Sequence, residues 1–318
     1  MKRIYQTLMI CLALGLASFP ALQAKVTPPA NKNTTTAANP AATFQRGMDA
    51  MANYDFNTAA NLFRQYNNQQ KDDTEDWASK AQIAANAFER VQKIVVIDSI
   101  SMPRASFFEA FRLAKSAGNI GRTADFRLKP GGDNDEVGFL NESRDYLITS
   151  VPNEEGELRL VENLGLLDGS WESHDALIGD LELDGDYAFP FLGADGQTLY
   201  FANNGEGSMG GYDLFVVQKE PITGECLQPL NLGMPFNSPF DDFMMAIDEE
   251  NGVGWWATDR NSPGEDVTIY IYILDDIRKN YPSDTPGLKS LAKISDYKAT
   301  WEEGKEASYQ KILKSLPK

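Results

Sequence analysis

The sequence predicts an α+β protein with helices at its front, a run of antiparallel β units in its middle and an amphipathic helix near its end. Three observations support this. Apolar residues recur at helical spacing between residues 41 and 92. One phrase, an acidic start followed by an apolar strand, a polar turn and an aromatic strand, occurs at Asp186 and again at Asp241, an offset of 55 residues. Leu288, Leu291, Ile294, Tyr297 and Trp301 form an apolar stripe within 287–316, continued by Tyr309, Ile312 and Leu313. The 318 residues are enough for one large core or several modest ones.

The chain opens with an address. Lys2 and Arg3 precede an apolar run from Ile4 to Phe19, and Pro20 to Ala24 supplies a break and a small residue, so 1–24 reads as a secretory signal peptide. That run is too short for a retained membrane span, and no transmembrane span is expected after its removal. Cleavage after Ala24 leaves 294 residues, moves the formal charge from -17 to -19 with the loss of Lys2 and Arg3, and keeps one cysteine, Cys226. An exported chain with one cysteine cannot form an internal disulfide and must fold on burial and hydrogen bonding. The acidic balance argues against nucleic acid and anionic lipid as partners. Residues 25–40 have little to bury and read as a flexible linker.

In the helical section, Phe44, Met48 and Met51 lie on one stripe, Asn53 to Phe56 interrupts it, and Ala59, Ala60, Phe63 and Tyr66 resume it. Asp76 ends an acidic turn before a third stripe carrying Trp77, Ala81, Ala84, Ala85, Phe88 and Val91. Lys93 to Ile97 is rich in β-branched residues and reads as a strand, with Asp98 and Ser99 as its turn. Pro103 then starts a helix through Phe107, Phe108, Phe111 and Leu113, closed near Gly118, and 116–121 returns to extended chain. The β region spans 93–275. In its two clear copies, Asp195-Gly196 corresponds to Glu250-Asn251 and Tyr200-Phe201 to Trp255-Trp256. A fainter copy runs from Asp135 to Ser150, and each copy is followed by another strand, at 157–161, 212–217 and 267–272. Three strands plus one from the connecting segment make a propeller blade, and stacked blades bury faces that a lone meander leaves wet. A β-sandwich is the competing fold, but it does not require a conserved offset.

The stretch DGDYAFPFLGADGQTLYFANNGEGSMGGYDLFVV resembles the blade repeat of TolB-type, WD40-like β-propellers. Asp195, Gly196, Leu199, Tyr200, Phe201, Ala202, Gly210, Gly211, Tyr212, Asp213, Leu214 and Phe215 carry the likeness, with Asp186 leading the strand. In the second copy Asp241, Trp255, Trp256 and the Asp259-Arg260 pair of ATDR fit, while Gly264-Glu265-Asp266 stands in place of the two glycines, tyrosine and aspartate. Gly47, Met51, Tyr54, Ala59, Ala60 and Phe63 likewise resemble one tetratricopeptide repeat within 41–92; a plain three-helix cap would use the same residues. Together these resemble cell-envelope proteins of the Bacteroidota. The resemblance implies tetratricopeptide-like helices, a small or incomplete propeller of three blades and part of a fourth from 93–127, and a periplasmic or outer-membrane-associated location. It also implies a non-enzymatic scaffold whose partner is an envelope protein or a peptidoglycan-associated complex, in outer-membrane or secretion assembly. In place of the OmpA-like domain of some relatives stands the 287–316 helix, suited to covering a sheet edge or docking a partner.

Catalytic signals are few. The single histidine, His174, lies 52 positions from Cys226, and no nucleophile triad, phosphate loop or dinucleotide fingerprint is present. No catalytic residue, cofactor or metal ligand is therefore assigned. Asp133 to Glu136, or Asp184 with Asp186, offer oxygen ligands for calcium, but turn caps use the same residues. Asp186 and Asp241 read as acceptors for backbone N–H groups at equivalent blade positions. A glycan-binding or glycoside-hydrolysing propeller is the alternative, with Trp255 or Trp256 stacking on a sugar.

Overall fold

The computed structural model describes residues 39–70, 76–128, 136–174, 183–220, 225–262 and 265–317. The proposed signal peptide, nearly all of the linker, and Asp133 to Asp135 lie outside them. At the front, α1 (Pro40–Ala52) starts at the last linker residue, because Asn39 accepts the Ala41 N–H at 3.1 Å and Pro40 occupies a position that needs no donor. A left-handed Tyr54 (φ 57°) turns the chain into α2 (Phe56–Gln69), and Asp76 caps α3 (Trp77–Phe88) by accepting the Ser79 N–H at 3.0 Å. Gly47 lets α1 and α2 approach: a Cβ there would lie 2.5 Å from the Phe63 ring. Phe44 joins all three helices, its ring 5.7 Å from Phe63, 5.0 Å from Tyr66 and 5.4 Å from Trp77.

Three antiparallel sheets follow. The first runs in chain order through β2 (Asn119–Arg122), β3 (Val137–Leu140), β4 (Tyr146–Pro152), β5 (Leu158–Gly165) and β6 (Trp171–His174). The second holds β7 (Tyr187–Leu192), β8 (Thr198–Asn203), β9 (Asp213–Gln218) and the short β10 (Leu230–Asn231). The third holds β11 (Asp242–Asp248), β12 (Val253–Thr258) and β13 (Asp266–Ile273), and is completed by β1 (Val96–Pro103), which pairs antiparallel with β13. The first strand of the chain thus closes the last sheet. β7 packs against β3, β4 and β5, and β11 against β7, β8 and β9. Phe139, Ile148, Phe191, Phe201, Phe243, Trp255 and Ile269 therefore share one core across all three sheets.

The repeat seen in the sequence is also a repeat of backbone. Ala188 opposite Ala202 and Phe191 opposite Tyr200 recur at the same offset as Phe243 opposite Ala257 and Ala246 opposite Trp255. Both first strands bulge at the same place, where Phe189 (φ 54°) and Met244 (φ 51°) are left-handed. Each costs roughly 1–2 kcal/mol for an L residue, so the bulge is held by its surroundings. The turn of the fainter third copy agrees with that of the second sheet, Arg144 (φ 60°) corresponding to Gly196 (66°), whereas the third sheet places its left-handed residue one position later, at Gly252 (65°).

Four expectations change. The strand expected at 93–97 begins at Val96 and runs through the supposed turn to Pro103, because the β13 ladder satisfies its backbone. The helix expected from Pro103 is a 3₁₀ segment, Arg104–Ala110, interrupted at Ser106. The part-blade expected from 93–127 is divided, β1 joining the third sheet and β2 the first, with no fourth sheet among the described residues. The helix expected over 287–316 is three pieces, α4 (Leu288–Lys293), a 3₁₀ turn (Tyr297–Thr300) and α5 (Glu306–Ser315), separated where Ile294 and Gly304 are left-handed. Its edge-covering role takes another form: Thr300 Oγ1 accepts the Val96 N–H at 2.9 Å and Trp301 Nε1 donates to the Val96 carbonyl at 2.7 Å, pinning the outer strand β1.

Candidate functional site

At the end where the first strands of the sheets begin, the repeated acids brace one sheet on the next. Asp186 Oδ1 accepts the Leu158 N–H of the first sheet at 2.8 Å, and Asp241 Oδ1 accepts the Tyr212 N–H of the second at 3.0 Å. Each acid has its own backbone N–H held by the residue 18 positions on, Asn204 at 2.7 Å and Asp259 at 2.9 Å, which are themselves 55 apart. The Asp186 carboxylate takes two further donors, Asn204 Nδ2 at 3.1 Å and the Tyr212 hydroxyl at 3.3 Å, and burial followed by the nearby Asp186 charge keeps that hydroxyl protonated well above its ordinary range. Arg104 reaches Asp241 at 2.8 Å and Asp259 at 3.5 Å and covers the Phe243 ring. Inside this collar Phe107, Phe189 and Phe243 touch edge to face or tilted, with centroids 4.8–5.9 Å apart, so aromatic rings fill the space between the sheets.

The remaining repeat residues are structural in the same sense. Asp213 accepts from the Met209 and Gly210 N–H groups and from Asn231 Nδ2 at 2.7 Å, and burial raises its pKa to about 7. Gly210 and Gly211 are required by crowding, since a Cβ would lie 2.4 Å from the Phe240 carbonyl oxygen or 2.0 Å from Asp241 Oδ1. Arg260, 1% exposed, donates to buried Asp242, to Thr258 Oγ1 at 3.1 Å and to the Pro235 carbonyl at 2.6 Å. Asp195 closes its turn by accepting the Gln197 and Thr198 N–H groups, both at 2.9 Å, with Gly196 supplying the left-handed corner. Phe201, Trp255 and Trp256 are wholly buried, the two tryptophans on opposite faces of β12 and in different clusters. Neither indole offers a platform for a sugar ring.

The opposite end is where the β3–β4, β7–β8 and β11–β12 turns gather, and two cavities lie there. One, of about 900 Å³, has Phe236, Met245, Ile247 and Tyr272 among its apolar walls, half-buried Tyr200 at its side, and Glu249, Asp275, Asp276, Arg278 and Lys305 around it. The other, of about 430 Å³, lies between the 141–143 and 193–196 turns and includes Tyr146 and Lys219. Beside it Glu162 accepts from both the Lys219 ammonium and the Tyr146 hydroxyl, tying the first sheet to the second with side chains only 16% exposed. Burial, then the bond to Glu162, raises the Tyr146 pKa far above its ordinary value. His174 is exposed, 3.8 Å from Glu172, and Cys226 is half-buried with burial raising its thiol pKa. Among the described residues no three of His, Cys, Asp and Glu stand together as a metal ligand set, and the Asp186 member of the calcium pair is taken up by Leu158, Asn204 and Tyr212.

Sequence reading missed four members of these networks. Asp242 was visible as the second acid of the Asp241-Asp242 doublet, whereas Arg104 and the Glu162–Lys219 pair left no local signal because their partners lie far along the chain. No helix among the described residues is long and apolar enough to cross a membrane. No protein-family profile matches the chain, and neither curated proteins nor solved structures match it.

Proposed function

We propose that the chain is a non-enzymatic interaction module of the bacterial envelope, built as a small TolB-like β-propeller of three blades with a tetratricopeptide-like helical section attached. The observation that carries this reading is the use made of the repeated acids. Asp186 and Asp241 are engaged by backbone donors of the preceding sheet, so the repeat that looks chemical is architectural. Sequential packing of the three sheets and completion of the last by β1 support the propeller description. The helices lean on the same framework, Lys80 Nζ donating to the Gly210 carbonyl at 3.0 Å. A scaffold of this kind presents its connections to a partner, as rigid folds with variable loops do. The reading of residues 1–24 as a secretory signal points to a partner in the periplasm or at the outer membrane, with an envelope protein or a peptidoglycan-associated complex as the expected class. A crosslinked pull-down of the mature chain from its own envelope, read by mass spectrometry with free glycans as competitors, tests the reading. Recovery of one protein component undisturbed by glycan supports it; release by a particular glycan overturns it in favour of a sugar-binding propeller.

A further inference from the structure

We infer that the turn end of the three sheets is the docking face, and that it fits a protein whose surface is basic around an apolar centre; this rests on the interaction-module reading above. β5, β9 and β13 each return onto the turn that leads into the preceding strand by one hydrogen bond: Gly165 N–H to the Asp145 carbonyl at 2.7 Å, Lys219 N–H to that of Gln197 at 2.9 Å, and Leu274 N–H to that of Gly252 at 3.0 Å. The segments leaving these three points carry large apolar side chains that stay exposed: Leu166 and Leu167 after β5, Leu227 after β9 and Ile277 after β13, while Leu230 is exposed on the outer strand β10 opposite Val216. Each sheet thus displays an apolar side chain beyond its returning strand, and the described parts of the helices and of the opposite end carry none of comparable size and exposure. Both cavities open at this end, and Ser116, beside the smaller cavity, bonds Glu250 of the third sheet's turn at 2.6 Å, linking that turn to the others.

Charge identifies the partner. The three turns (141–145, 193–197 and 248–252) and the described exits (166–170, 219–220, 225–229 and 274–280) contain eleven acidic and four basic residues. Two of the four are already neutralised, Lys219 by Glu162 and Lys279 by Asp275. The whole chain has 46 acids to 29 bases, so these turns and exits are more acidic than the chain as a whole. Such a field repels anionic lipid and attracts a basic protein surface, while the leucines supply the area that such a surface buries.

The test places a photoreactive benzoylphenylalanine at Leu167 or Leu227, and at exposed Gln65 on α2 as the comparison, in the full-length chain within its own cells. The expected result is capture of one protein species from both turn-end positions. Its yield falls several-fold in about 0.5 M salt, and Leu166→Ser lowers capture from position 227 about tenfold, the effect of one leucine no longer buried. Capture from Gln65 alone overturns the docking face and leaves the interaction-module reading standing. Capture from no position overturns both. A crosslink only to lipid, or a yield indifferent to salt, overturns the basic-protein assignment.

Discussion

Arg260 should be the costliest single side chain to remove from the β region. Its guanidinium is buried with Asp242, whose side chain is 0% exposed, and it also satisfies the Pro235 and Phe236 carbonyls ahead of β11. Arg260→Ala leaves a buried carboxylate with the hydroxyls of Ser238, at 2.7 Å, and Thr258 as its remaining side-chain donors. Breaking a buried pair in this way costs about 3–5 kcal/mol, and the orphaned carbonyls add to it, so a loss of about 4 kcal/mol or more and a Tm lower by roughly 10 °C are expected. The pH dependence identifies the cause. Burial pushes the Asp242 pKa up to about 6, and Arg260 opposes that rise; without Arg260 the pKa moves higher still. A carboxyl whose folded pKa exceeds its unfolded value binds a proton more readily when folded, so its burdened charged form regains stability as pH falls through the folded pKa. Urea unfolding of wild type and variant should therefore show the larger gap near pH 8 and a smaller one near pH 5. A gap under about 1 kcal/mol, or one equal at both pH values, would refute the argument.

Other expectations follow from the same geometry. Gly211→Ala pushes a Cβ into Asp241 Oδ1 and must dislodge the brace between the second and third sheets, so about 2 kcal/mol of stability is lost in chemical denaturation. Gly47→Ala overpacks the α1 and α2 contact at Phe63 and costs about 1–3 kcal/mol by the same measurement. Trp301→Phe removes the donor to the Val96 carbonyl, and hydrogen exchange should show faster opening of β1 with an overall loss of about 1 kcal/mol. Asp213, raised by burial to about 7, makes the folded state gain stability as pH falls from 8 towards 6, and Asp213→Asn should flatten that part of the profile in thermal scans.

Much of this was legible in the sequence. The 55-residue offset became a shared register and a shared bulge, because a one-residue slip would carry every side chain of these strands to the other face and lose the repeated cross-strand pairs. Gly47, Gly196, Gly210 and Gly211 were singled out by the repeat resemblances alone, and the structure supplies the physical reason, a crowding neighbour at Gly47, Gly210 and Gly211 and a left-handed corner at Gly196. Trp255 and Trp256 were less transparent. Alternation says only that they face opposite ways, and both faces of β12 turn out to be covered. The C-terminal stripe misled in another way: a helical period is equally served by two short helices bent around a sheet edge, and the breaks at Ile294 and Gly304 follow from what lies beneath them.

The sequence by itself determined that this chain is helical in front and a repeated antiparallel meander behind, that its repeated acids are acceptors in a framework, and that its charge is unfavourable for nucleic acid. These properties depend on local spacing and side-chain chemistry, which a chain carries before it folds. Only the tertiary structure decided that β1 completes the third sheet, that Arg104 closes the acidic collar, that Phe107, Phe189 and Phe243 fill the centre, and that the exposed leucines gather at one end. Each depends on residues tens to hundreds of positions apart, brought together because a single sheet cannot bury both its faces and three packed sheets can.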